Sequence, residues 1–169
     1  MLRLIKSYVK FVDGMNYYIG RAVMYMIFVM MGVLFYSSVT KAFSTPALWT
    51  FEFSQFMMVA YFLVGGAYSM QLDGHVRMDL LYGGRSERTR SWWDAVTALF
   101  MIAYLLGLLY GAISSTEYAL WYGERSYSSW RPYMWPIKII MTIGIIMMLL
   151  QAISQFFKDL AAATGKPLS

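Results

Sequence analysis

Residues Pro136–Phe157 read PIKIIMTIGIIMMLLQAISQFF, with one charge, Lys138, in the opening turn. A helix rises about 1.5 Å per residue and a bilayer's hydrocarbon core is about 30 Å thick, so roughly 20 residues suffice to cross. The stretch therefore predicts a transmembrane helix. Pro136 begins it, where a missing N–H costs nothing. Working outward, three further apolar runs cover Ile19–Val39, Phe53–Met70 and Ala95–Leu120. The third exceeds the minimum and should tilt or protrude; the second is at the short end. The expected fold is an all-α integral membrane protein: one four-helix domain over residues 1–169.

Composition agrees. Of 169 residues 59% are hydrophobic and 14% charged, on the membrane side of globular usage. The longest connection, about Gln71 to Asp94, is too short for a soluble domain. With no cysteine there is no disulfide, thiolate chemistry or Cys-based metal site. His75 is the single histidine, which excludes bis-histidine haem and His-cluster metals within the chain. No cofactor is expected.

A net charge of +5 need not signal nucleic acid, because position explains it. Arg3, Lys6, Lys10 and Arg21 flank the first crossing on its N-terminal side; Arg77, Arg85, Arg88 and Arg90 follow the second; Lys158 and Lys166 follow the fourth. Lys41, Arg125, Arg131 and Lys138 fall on the other side. The positive-inside bias then places both termini in the cytoplasm.

Leu2, Ile5, Val9 and Val12 repeat at helical spacing beside Arg3, Lys6 and Lys10. Residues 2–13 thus read as a short amphipathic helix in the membrane interface. No small-x-small site closes the apolar run that follows, so cleavage as a signal peptide is not expected. The 15 methionines read as flexible packing residues. Gly65 and Gly66 would admit a neighbouring backbone, and Ser86 would cap the third long helix. Between the third and fourth crossings Tyr118, Trp121, Tyr122, Tyr127, Trp130, Tyr133 and Trp135 crowd together, as a headgroup belt or a protein-contact surface. Trp130 and Trp135 with Arg125 and Arg131 are the candidates for partner docking. No internal repeat relates the two halves.

Ionisable groups at membrane depth are candidate sites. Glu52 opens the second crossing, Glu117 closes the third and Lys138 starts the fourth. Antiparallel order sets Glu117 and Lys138 at similar depth, where they could pair; Lys138 could instead snorkel to the headgroups. Gln55 and Gln151 could hydrogen-bond across helices. A helix through Gly74-His75-Val76-Arg77-Met78-Asp79 would put His75 and Asp79 on one face and Arg77 opposite. No nucleophile in a recognisable motif accompanies them, so the reading is structural and the chain is not an enzyme.

Four crossings, the run Gly74-His75-Val76-Arg77-Met78-Asp79-Leu80-Leu81, the basic connection leading to Trp92-Trp93-Asp94, and Pro132–Lys138 followed by Leu149-Leu150-Gln151 together resemble the small membrane subunit of TRAP (tripartite ATP-independent periplasmic) transporters. The likeness runs from about Val12 to Phe157. It implies a bacterial inner-membrane complex with two partners, a large polytopic membrane subunit and a periplasmic substrate-binding protein, besides membrane lipids. It further implies sodium-driven uptake of an organic acid, a carboxylate or sialic acid, with this chain as a non-catalytic scaffold. Gly74, His75, Arg77 and Asp79 are then family-motif or structural candidates, and loss of His75 or Asp79 is expected to lower the yield of the complex. Two other classes are weighed against it. A homodimeric four-helix exporter needs an embedded carboxylate, for which only Glu52 and Glu117 offer. A respiratory anchor subunit wants haem histidines that are missing.

Overall fold

The computed structural model describes residues 2–43, 47–72 and 87–164. These form helices α1 (Leu2–Met24), α2 (Met26–Phe43), α3 (Trp49–Gln71), α4 (Glu87–Tyr122) and α5 (Trp135–Ala163). Among the described residues there is no strand, only an isolated bridge between Arg125 and Tyr133.

Among the described residues three helical stretches are long and apolar enough to cross a membrane: Leu4–Phe43, Trp92–Tyr122 and Trp135–Ala163, of 40, 31 and 29 residues. The second run expected to cross, within α3, is not among them. It is shortened in apolar length by Glu52, Ser54 and Gln55 at one end and by Gly65, Gly66 and Tyr68 towards the other.

The expected boundary between an interfacial helix and the first crossing does not occur near residues 13–19. Helix α1 continues to Met24, and the interruption is at Tyr25. There Tyr25 N–H bonds to Ala22 C=O at 3.2 Å and Phe28 N–H to Tyr25 C=O at 3.1 Å, a tighter turn than the α-helix. The stripe Val9, Val12, Asn16 and Gly20 is buried in the protein, because α1 packs against α3 and α5. What α1 leaves open includes Leu4, Lys6, Lys10 and Phe11.

Helix α5 packs against α4, α3 and α1, and α3 against α5, α1 and α2. These two make the centre, with α2 and α4 outside. Close approach depends on two glycines. A Cβ on Gly20 would lie 2.2 Å from Tyr68 Cβ, and one on Gly144 would lie 2.9 Å from both the Leu63 carbonyl carbon and its Cβ. Such small-residue crossings bring backbones together where lipid supplies no hydrophobic drive. Gly65 and Gly66 meet side chains, Val23 and Met148, rather than a backbone. The outer helices expose large apolar residues, among them Phe28 and Phe35 on α2 and Phe100 and Tyr110 on α4. So much uncovered apolar surface fits lipid or a protein partner, not water.

Candidate functional site

Polar side chains collect towards the two ends of α5. Near its C-terminal end, Gln151, Ser154 and Lys158 share one face at helical spacing, and Asp13 and Asn16 share the facing side of α1. Lys158 Nζ meets Asp13 Oδ2 at 2.5 Å. Asp13 Oδ1 accepts from Gln151 Nε2 at 3.1 Å and from Ser154 Oγ at 3.2 Å. Asn16 Nδ2 donates to Gln151 Oε1 at 2.7 Å. Tyr8 adds a bond from its hydroxyl to the Leu150 carbonyl at 3.1 Å and an edge-on contact with Phe157. All three donors to Asp13 come from α5. The cluster is a clamp that fixes α1 on α5. Sequence reading named Gln151 but missed Asp13 and Asn16. Their signal was there: both continue the inner stripe of Val9 and Val12, where a polar residue needs a partner.

At the other end, residues 123–134 form a hairpin between α4 and α5. Gly123, at φ 58°, ends α4 in the left-handed region, and Glu124 N–H reaches back to Ala119 C=O at 3.2 Å, the pattern of a Schellman cap. Ser126 N–H bonds to Pro132 C=O at 3.0 Å, and Met134 N–H to Glu124 C=O at 2.9 Å. The Arg125 guanidinium lies 4.1 Å from the centre of the Tyr133 ring and also donates to that tyrosine's hydroxyl. At the tip Arg131 has φ 50°, and its N–H bonds to Ser128 Oγ at 3.2 Å. A non-glycine residue held there is strained by about 1–2 kcal/mol.

All four docking candidates lie on this hairpin or just after it. Arg125, Trp130 and Arg131 are exposed within it, and Trp135 is exposed as the first residue of α5. The Glu117–Lys138 pair does not form. Lys138 reaches Glu124 instead, and the Ser115 carbonyl at 3.4 Å. The capped end of α4 folds Glu124 back over the start of α5, a move that depth alone does not reveal. Glu117 is exposed in an open groove with Ser114, Tyr118, Trp121 and Tyr122. Gln55 is exposed as well. Gly74, His75, Arg77 and Asp79 lie outside the described residues.

Two more features complete the geometry. Glu52, in the first turn of α3, is 5% exposed and accepts a hydrogen bond from Ser126 Oγ. Along the side of the bundle a groove of about 490 Å³ runs past Ala103, Gly107, Gly111 and Ser115 on α4 and Met141 and Ile145 on α5. Among the described residues no three His, Cys, Asp or Glu side chains gather as metal ligands would.

This arrangement binds helices together and displays a structured hairpin. The family model for the DctQ component of tripartite ATP-independent periplasmic transporters matches residues 15–162. Neither the search of curated proteins nor that of solved structures gave a match. The matched span takes in the end of α1, all of α2–α4, the 123–134 hairpin and all but the last residue of α5, and on that basis the chain belongs to the DctQ family of TRAP transporter components.

Proposed function

We propose that this small transporter subunit is a fixed, non-catalytic scaffold. It spans the bacterial inner membrane four times with both termini cytoplasmic, α3 being the second crossing. It holds a large polytopic membrane subunit that carries out sodium-driven uptake of an organic acid, delivered by a periplasmic binding protein. The observation that carries this reading is where the charges are. From Asp94 to Glu117 on α4, and from Lys138 to Lys158 on α5, no Asp, Glu, Lys, Arg or His intervenes. A cation-coupled carrier needs such a group within the membrane, so coupling falls to the partner.

The groove past Gly107 and Gly111 is the surface proposed for a helix of the large subunit, since small residues let helix backbones approach. The 123–134 hairpin is the surface proposed for the binding protein. The test is mild-detergent purification of the tagged chain from its native membranes, with mass spectrometry of what accompanies it. A stoichiometric large polytopic protein is expected, and the pair in liposomes should take up an organic acid only with sodium and the binding protein. Recovery of this chain alone, as a monomer or homodimer, would sink the scaffold reading.

A further inference from the structure

The hairpin over residues 123–134 is stitched to itself by backbone bonds, and its side-chain ties to the helices are few. Glu124 pairs with Lys138, but Lys138 belongs to α5, the helix into which the hairpin runs. The tie from Ser126 to Glu52 is of another kind. It crosses 74 residues of sequence to reach α3, which the hairpin does not join. Among the described residues it is the polar side-chain contact that fixes the hairpin's tilt against the centre of the bundle.

Packing gives no reason for a carboxylate at position 52. One oxygen accepts from Ser126, while Oε2 is buried without a hydrogen-bond donor. Burying a carboxylate in this way is costly. What a carboxylate adds over a neutral acceptor is a shorter bond, roughly twice as strong. The turn that carries Glu52 is itself held. Thr50 Oγ1 donates to Ser37 Oγ on α2 at 2.9 Å, and Ser54 Oγ donates to the Thr50 carbonyl at 2.7 Å. Glu52 is thus a fixed post, and the hairpin hangs from it one residue before the exposed tip at Tyr127.

We infer that Glu52 is a positioning residue: through Ser126 it sets the pose in which Tyr127, Trp130 and Arg131 meet the binding protein. The inference rests on the docking role proposed above. The surface so presented is cationic and aromatic, because Glu124 offsets Lys138 and Glu52 is buried, leaving Arg125 and Arg131 facing outward. It fits an acidic patch on the soluble partner.

The chain has no cysteine, so Tyr127→Cys gives a single attachment point for a nitroxide spin label on the full-length protein. Label mobility should rise to the same extent with Ser126→Ala and with Glu52→Ala, and no further with both together. Glu52→Gln, which keeps an acceptor but a weaker one, should raise it by less than Glu52→Ala does. In liposomes with the large subunit, Ser126→Ala and Glu52→Ala should raise the half-saturating binding-protein concentration about 3- to 10-fold. Complex yield and maximal uptake rate should hold. Unchanged mobility in both variants, or changes that add, would overturn the anchor. Ser126→Ala keeps that outcome readable even where Glu52→Ala does not fold. Raised mobility with an unchanged half-saturating concentration would overturn the positioning role and the docking assignment together, and leave the anchor standing.

Discussion

Asn16 on α1 and Gln151 on α5 stand 135 residues apart and share a 2.7 Å hydrogen bond, with neither side chain exposed at all. Gln151 also donates to Asp13, so the bond is one link of a chain. Replacing Gln151 with Leu should destabilise the protein by about 1–2 kcal/mol, because Asn16 loses its partner where water does not reach and Asp13 loses one of its three donors. Adding Asn16→Leu should recover part of that loss. Equilibrium unfolding in detergent measures both. Strictly additive losses would mean the two residues do not act through their shared bond.

Asp13 carries more than Lys158 does. It accepts three donors, whereas Lys158 makes one described bond and is about a third exposed. Asp13→Ala is expected to cost about 2–3 kcal/mol. Lys158→Ala should cost less than half of that, since its partner keeps two donors. Unfolding midpoints of the two variants check the order, and equal losses would assign the clamp's strength to the ion pair alone.

Two glycines on α1 should respond with opposite signs. Gly20→Ala places a Cβ against Tyr68 near its backbone, at a distance no relaxed contact allows, so α1 and α3 must part. A loss of about 1–3 kcal/mol is expected. Gly14 has nothing within 4 Å of an added Cβ. There Ala should stabilise by about 0.5–1 kcal/mol through helix propensity. Thermal unfolding of the two variants decides it.

The α4 groove permits a clean test of subunit contact. Among the described residues nothing beyond the helix's own nearby backbone lies within 4 Å of a Cβ built on Gly107 or Gly111. Gly107→Leu and Gly111→Leu should leave the chain's own stability within about 1 kcal/mol yet reduce co-purification of the large subunit severalfold. Full recovery of the complex would move the contact to another face.

Reversing the hairpin's charge probes docking directly. Arg125→Glu with Arg131→Glu should raise the half-saturating binding-protein concentration about tenfold or more, through repulsion from an acidic surface. The two membrane subunits should remain associated. Unchanged uptake at limiting binding protein would remove the hairpin from the docking surface.

Much of this architecture was legible in residue order, and its limits fall at particular residues. Apolar runs placed α2, α4 and α5, because length and hydropathy are local properties that a bilayer reads directly. The amphipathic period of residues 2–13 was real, yet its apolar face is covered by protein: Val9 and Val12 are buried, and the helix runs on to Met24. Periodicity shows that a face is to be covered and does not say by what. The docking candidates were found from composition, since aromatic and basic residues crowd one connection. The residue that anchors them, Glu52, was noticed as a boundary carboxylate without its partner.

By itself the sequence determined the helical class, the apolar runs of α2, α4 and α5, the family and the lack of charge along the middle of those three helices. Each follows from side-chain chemistry summed along a stretch of chain. Only the tertiary structure decided which polar groups meet: Asp13 with Lys158, Asn16 with Gln151, Ser126 with Glu52, and Lys138 with Glu124 in place of Glu117. Such pairings depend on the rotation of each helix about its axis and on how the capped end of α4 folds back. Contacts such as Gly20 on Tyr68 and Gly144 on Leu63 help fix that rotation, and the steric fit between distant segments is written in no single one of them.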